Sequence, residues 1–302
     1  MTRQGHYKEE QLGTDHMSTL YTVHNLAMVY EDQGKYEEAE MLCQRALEGF
    51  ELQLGGDHPN TLNTVHSLAS IYVRQGRYEE AETLYQRALA GREQQFGSDH
   101  PDTLGTENDL AMLCEKQGKF AEAEILYQRA LEGQEQKLGA DHPSTLNTVN
   151  NFAVLYEKQG KHKEAKSFYQ RALAGKEQKI GPDHPDTLYT VHHFAYLYEK
   201  QGNYEEAETL YQRALAGREQ KLGEDHPETL ETIHSLANLR VQQGRLEEAE
   251  TLFNRAWAGR VKVIGVRHPD TAKTTEDLAC LYDKQGRLDE ARMLRGEALK
   301  RA

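Results

Sequence analysis

Apolar residues recur along this chain at helical spacing, and the pattern that carries them recurs in turn. Between His142 and Gly181 the apolar positions Leu146, Val149, Phe152, Ala153 and Tyr156 fall on one face of a helix. The pair His142-Pro143 marks the entry, because proline at the first helical position gives up an N–H that no helix uses. Gln159-Gly160 marks the exit, with glycine supplying the left-handed conformation that closes helices. A second stripe follows at Ala165, Phe168, Tyr169, Ala172 and Leu173, and runs to about Ile180-Gly181. The turn Pro182-Asp183-His184 then opens the next unit. Glutamates gather at the start of the second helix (Glu37, Glu38 and Glu40 in the first unit) and an arginine follows (Arg45), an arrangement that suits the helix dipole. No run alternates as a strand does, so no sheet is expected.

The same helix pair returns at a fixed interval. His16, His58, His100, His142, His184, His226 and His268 stand 42 residues apart, as do Gly34, Gly76, Gly118, Gly160, Gly202, Gly244 and Gly286. Tyr78–Leu104 and Tyr204–Leu230 agree at 23 of 27 positions. Seven units result, at about 13–54, 55–96, 97–138, 139–180, 181–222, 223–264 and 265–302. One helix pair cannot bury its own stripe, whereas stacked pairs share a continuous core. The expected fold is therefore an all-α solenoid. Residues 1–12 align with the tail of a preceding second helix, and the chain stops partway through the last one, so the sequence reads as a piece of a longer array.

These residues resemble the tetratricopeptide repeat. In the second unit the family pattern is met by Val65, Leu68, Ala69, Tyr72, Gly76, Tyr78, Ala81, Tyr85 and Ala88. The usual unit has 34 residues; here the second helix, helix B, is longer by roughly two turns. With its Leu-Gly-x-Asp-His-Pro junction and Asn-Leu-Ala-x-Leu-Tyr first helix, helix A, the variant is similar to the repeats of kinesin light chain, nephrocystin and NOD-like receptors. The resemblance implies a right-handed superhelical α-solenoid of seven helix-turn-helix units, with helices A lining a concave groove that binds a peptide or protein segment.

Carried over by position, that groove is lined in the first unit by Tyr21, His24, Asn25 and Met28, and in the second by Asn63, His66, Ser67 and Ser70. The third offers Asn108, Asp109 and Met112 beside Gly105, and the fourth Asn147, Asn150 and Asn151 beside Val154. The fifth offers Tyr189, His192, His193 and Tyr196. The sixth has His234, Ser235 and Asn238 beside Glu231, and the last Lys273, Glu276, Asp277 and Cys280. These positions vary between units while adjacent core positions hardly change. Their Asn, His and Tyr side chains can hydrogen-bond a peptide backbone while burying area. Asn25 and Asn151 match the family's peptide-clamping asparagine. The histidines His24, His66, His192 and His234 are expected to titrate near neutrality and make binding pH-dependent.

Composition narrows the partner. The 302 residues carry 49 acidic and 36 basic side chains, a formal charge of -13. This disfavours non-specific nucleic-acid binding. No stretch approaches the roughly 18–20 apolar residues that cross a bilayer, and the start lacks the apolar segment of a secretory signal. Three scattered cysteines, Cys43, Cys114 and Cys280, point to a reducing, cytoplasmic setting. The groove carries few bases, so a neutral to mildly basic polypeptide is the expected ligand. No nucleophile motif, phosphate loop or metal-ligand pair is present, so no catalytic, cofactor or metal residue is nominated and the junction histidines are expected to cap helices. The sequence describes a non-enzymatic interaction scaffold. Alternatives are a solenoid that self-assembles head to tail, or the sensor region of a larger STAND-type signalling ATPase. Glu107 and Arg240 interrupt core positions and are expected to find partners or reach solvent, since a lone buried charge is costly. Thr275 also replaces a core Val. The helix B glycines, Gly49, Gly91, Gly133, Gly175, Gly217 and Gly259, are expected to mark close helix approach or a bend.

Overall fold

A computed structural model describes residue 13 and residues 16–301. The reading of residues 1–12 as a helix tail lies outside the described residues. Every described element is an α-helix. The A helices are α1 (Met17–Asp32), α3 (Pro59–Arg74), α5 (Pro101–Lys116), α7 (Pro143–Lys158), α9 (Pro185–Lys200), α11 (Pro227–Gln242) and α13 (Pro269–Lys284). The B helices are α2 (Tyr36–Leu54), α4 (Tyr78–Phe96), α6 (Phe120–Lys137), α8 (His162–Lys179), α10 (Tyr204–Leu222), α12 (Leu246–Val263) and α14 (Leu288–Arg301). The architecture is an all-α repeat solenoid, and its contacts gather into two compact units, Met1–Gly160 and Lys161–Ala302.

Each A helix begins as its residues dictate. The junction histidine is extended, and its Nδ1 accepts the N–H two residues on, at 3.2 Å from Asn60 in α3 and from Ser144 in α7. An imidazole thus does the work usually given to Ser or Asp at this position. The threonine three residues after each histidine donates back to the glycine carbonyl that closes the preceding B helix, as Thr61 does to Gly55 O at 2.8 Å. At the other end Gly76 has φ +79°, and the Arg77 N–H reaches back to Tyr72 O at 2.9 Å, a Schellman-type closure.

In the first unit the core joins Ala27, Ala39, Cys43, Val65, Leu68, Ile71, Ala81, Tyr85, Leu110 and Leu113, all buried. Small alanines let helices approach, and aromatic rings such as Tyr85 and Tyr127 fill the space between them. The second unit repeats the plan with Ala195, Ala207, Tyr211, Leu236 and Leu239, and then Ala237, Ala249, Phe253, Leu278 and Leu281. The helix B glycines mark close approach: a Cβ on Gly91 would lie 2.7 Å from Leu62 Cδ2, and one on Gly217 2.6 Å from Leu188 Cδ1.

Two polar devices tie neighbouring repeats together. A helix B glutamate accepts from the next repeat's A–B turn: Glu40 from Gln75 Nε2 and Arg77 Nη1, both at 2.8 Å, and Glu250 from Arg287 Nη1 at 2.6 Å. Beneath it, the residue after the helix B glycine is buried, and where it is Arg or Lys it donates across the seam. Arg92 Nη1 donates to Thr106 Oγ1 at 2.5 Å and Asp102 O at 3.1 Å. Arg218 and Arg260 make the same pair of bonds, and Lys176 Nζ donates to Thr190 Oγ1 and Asp186 O.

The interrupted core positions find partners. Glu107 is fully buried and pairs with Arg129. Arg240 is buried against Glu208 at 2.5 Å. The Thr275 hydroxyl accepts from Trp257 Nε1 at 3.0 Å. Cys43 and Cys114 are buried and Cys280 is exposed. In α14, Arg295 stands where α4, α6, α8, α10 and α12 bury Tyr or Phe and α2 buries Cys43, and it is held by Glu276 and Asp283 at 2.8 and 2.9 Å.

Candidate protein-interaction face on the A helices

On each A helix the ninth residue after the junction histidine points outward and the tenth and eleventh pack inward, while the eighth meets the next repeat in α1, α3, α9 and α11. This division follows from 100° of rotation per residue. The tenth and eleventh, such as Leu68-Ala69 and Phe152-Ala153, are buried. The ninth, from Asn25 through Ser67, Asp109, Asn151 and His193 to Ser235, is exposed or half-exposed in every repeat.

In the first unit these side chains form a continuous polar network. Tyr21 is 40% exposed, its ring lies 5.2 Å from that of Phe50, and its hydroxyl accepts from the Asn60 amide. His24 lies 3.4 Å from Thr64 Oγ1, and Met28 is half-buried against the core. Asn63 Oδ1 accepts from Arg92 Nη2 at 2.6 Å. His66 Nε2 meets Asp109 Oδ2 at 3.0 Å, the Asn108 amide donates to Asp109 at 2.9 Å, and the Asn151 amide donates to Asn108 at 3.2 Å. The network therefore runs from α3 through α5 to α7. Met112 and Asn147 are half-exposed beside it.

The second unit presents rings instead. Tyr189 and His193 stand 4.4 Å apart, and Lys200 Nζ lies 4.8 Å from the Tyr196 ring. Ser235 and Asn238 continue the face on α11, half-exposed. Among the described residues no group of three or more His, Cys, Asp or Glu side chains is placed to hold a metal ion. None of the described helices is long and apolar enough to cross a membrane.

A tetratricopeptide repeat family model matches residues 15–94, 63–136, 102–178, 176–220, 186–260 and 242–302. The chain belongs to the tetratricopeptide repeat family. Solved structures agree. A putative kinesin light chain with nearly identical repeats from Podosopora anserina is 28% identical, with 68% of this chain and 97% of that chain covered and a TM-score of 0.52. BtubC from P. vanneervenii is 22% identical over 74% of this chain and 90% of that one, with a TM-score of 0.61. A STAND protein with a tetratricopeptide repeat sensor from Pyrococcus horikoshii is 17% identical, covers 93% of this chain and 41% of its own, and has a TM-score of 0.61. No curated protein matches the chain by sequence.

Three residues expected on the binding face of this tetratricopeptide repeat chain are not on it. Asn150, His192 and His234 are buried. In the second unit the eighth position lies under the next repeat: His192 Nδ1 is 3.3 Å from Thr232 Oγ1, and His234 lies between Thr274 Oγ1 at 3.3 Å and Asp277 at 3.0 Å. Burial pushes His24, His192 and His234 below the ordinary imidazole range, in His234 against the pull of Asp277. The expected titration of these three near neutrality is therefore corrected: burial disfavours their charged form, and His192 and His234 belong to the seam.

The sequence reading also passed over two sets of residues. Buried carboxylates stand fifteen residues after the junction histidine at Glu115, Glu157 and Glu199. Glu115 is paired with Lys158 at 2.7 Å, and Glu199 accepts from Tyr211 at 2.8 Å and Gln242 at 2.6 Å. The second set is the seam residues Arg92, Gln134, Lys176, Arg218 and Arg260, all buried. Their signal was a polar residue directly after every helix B glycine from Gly91 on, matched by a threonine six residues after each junction histidine.

Proposed function

We propose that this protein is a non-enzymatic interaction scaffold that binds a neutral to mildly basic polypeptide segment along its A helices. One observation carries the reading: the outward ninth position changes from repeat to repeat, while its buried neighbours stay Leu or Phe followed by Ala. Packing explains the constancy of the neighbours; the outward set has no packing reason to be rich in groups that both donate and accept. Acidic groups on these helices, Asp109 and Glu31 among them, suit a basic rather than an acidic segment. End-to-end assembly is less well supported. Another repeat stacking on α14 would meet Arg292 where the other B helices but α8 carry the glutamate that accepts the incoming turn.

The test is selection from a displayed random peptide library, with the recovered peptides measured against two variants. Asn25→Ala/Ser67→Ala/Asn151→Ala removes polar groups at the outward ninth position. Met41→Ala/Ile125→Ala trims exposed residues of B helices. Peptides that lose at least about tenfold in affinity (~1.4 kcal/mol) on the first variant only support the reading. Peptides that bind both variants as they bind the parent overturn it.

A further inference from the structure

Two repeats lack the ring that the other five carry, and one of them puts a charge in its place. The fourteenth residue after the junction histidine is Tyr30, Tyr72, Tyr156, Tyr198 and Tyr282 in five repeats and Cys114 in another; in the sixth it is Arg240. In two of the five an arginine from the A–B turn covers the ring: Arg77 lies 3.8 Å from the centre of the Tyr72 ring, and Arg287 4.2 Å from that of Tyr282. In the sixth repeat the covering cation remains. Arg245 pairs with Glu248 at 2.7 Å, as Arg77 does with Glu80 at 2.5 Å. Arg240 itself turns toward Glu208 at 2.5 Å and donates to the Gln243 side-chain amide oxygen, Oε1, at 2.7 Å. Its buried Nε faces Glu248 at 3.2 Å without an aligned hydrogen bond.

A cavity of about 300 Å³ lies beside it, lined by Leu236, Arg240, Glu248, Thr251 and Leu252. An apolar cavity of about 150 Å³ already admits benzene. In the preceding repeat Phe194 lies tilted 4.8 Å from Tyr198; here Leu236 and the displaced guanidinium stand in those two places. The lining residues of α11 lie on the side of that helix opposite Ser235 and Asn238, so the cavity is separate from the proposed binding face.

We infer that this cavity is a binding site for a tyrosine side chain presented by a partner polypeptide. The leucines give the ring an apolar floor. The guanidinium of Arg240 offers positive charge to the negative ring face, the complement that Arg77 and Arg287 supply to the chain's own tyrosines. The half-exposed Glu248 carboxylate can accept the phenol hydroxyl. The partner's residue takes the place of the ring this repeat lacks.

Methyl-resolved NMR of the full chain tests this with p-cresol, the tyrosine side-chain analogue, against 4-methylcyclohexanol, which has the same shape without the π face. The expected result is saturable, roughly millimolar shifts at Leu236 and Leu252 with p-cresol, as suits so small a ligand, and at least fivefold weaker binding of the cyclohexanol. Arg240→Tyr restores the repeat pattern and fills the site; Thr251→Trp covers its mouth from an exposed position that folding does not need. Either should abolish the shifts. Absence of saturable shifts, their persistence in Thr251→Trp, or equal binding of the two probes overturns the proposal. A peptide library then separates the sources: tyrosine-bearing peptides that bind the parent and not Arg240→Tyr support a polypeptide partner. If p-cresol binds but no such peptide does, the partner assignment is overturned. Neither variant alters the A-helix face, so this outcome is independent of the one above.

Discussion

Lys176 shows at the scale of one residue what a seam donor costs. Its side chain is 1% exposed and its ammonium has only a threonine hydroxyl and a carbonyl within bonding distance. Burial lowers its pKa to about 8, opposed only weakly by Asp186. An amine depressed in the folded state binds fewer protons there than when unfolded, so stability rises with pH between about 8 and the ordinary lysine value near 10.4. The sister residue Gln134 meets its own threonine, Thr148, at 2.7 Å without a charge to desolvate. Lys176→Gln is therefore expected to raise stability by about 1–3 kcal/mol at pH 7, with the advantage shrinking toward pH 10. Denaturant melts of both proteins at the two pH values measure this; a pH-independent difference would show that the ammonium is not the cause. Trading buried Arg218 for Gln brings no such pH window, because guanidinium stays charged throughout.

At the scale of the helix, two kinds of glycine have opposite reasons. Gly76 ends α3 at φ +79° with open space around it, so Gly76→Ala costs about 1 kcal/mol through backbone strain alone. Gly91 lies inside α4, where alanine would gain about 1 kcal/mol of helix propensity. Its new methyl, however, would press on buried Leu62, and overpacking costs about 1–3 kcal/mol. Gly91→Ala should thus destabilise despite better propensity, and Leu62→Val should recover part of the loss in the double variant; additive losses in a thermal-melt cycle would rule out direct contact. The same contrast explains what was legible beforehand. Helix entries at His-Pro, exits at Gln-Gly and the Leu/Ala/Tyr stripes come from local chemistry, and the sequence displays them. That Asn150 is buried and that His192 and His234 sit in the seam was not legible, because a helical wheel gives a direction and not the neighbour that occupies it. Nor was the part played by Arg218: a polar residue after a glycine reads as surface until the threonine of the following A helix is seen beneath it.

At the scale of the whole molecule, each device seen among the described residues of either unit joins consecutive repeats, and a fault in one should therefore stay local. Stability in such arrays is the sum of repeat terms and nearest-neighbour terms. Glu208 is the sharpest place to look. Its carboxyl is held at about 2, first by the Arg240 hydrogen bond and then by Gln243, with Arg245 adding charge. In α8 the matching position is Lys166, which lies 5.1 Å from the Tyr198 ring, and the turn that would have met it carries Asn203 in place of Arg or Lys. Acid and base have been exchanged together, as a true pair requires. Glu208→Ala strands buried Arg240, and losing one partner of a buried ion pair costs about 3–5 kcal/mol; the partly exposed carboxylate and the remaining Glu248 contact place the expectation nearer 2–3 kcal/mol. Hydrogen exchange by mass spectrometry should show faster exchange in α10, α11 and α12, with Met17–Lys116 unchanged. The parent should lose the same protection as pH falls from about 4.5 toward 2, because a depressed carboxyl withdraws its contribution as it is protonated. Faster exchange in α1 to α5 of Glu208→Ala would mean that the repeats melt as one body, and that coupling reaches well beyond the contacts between neighbours.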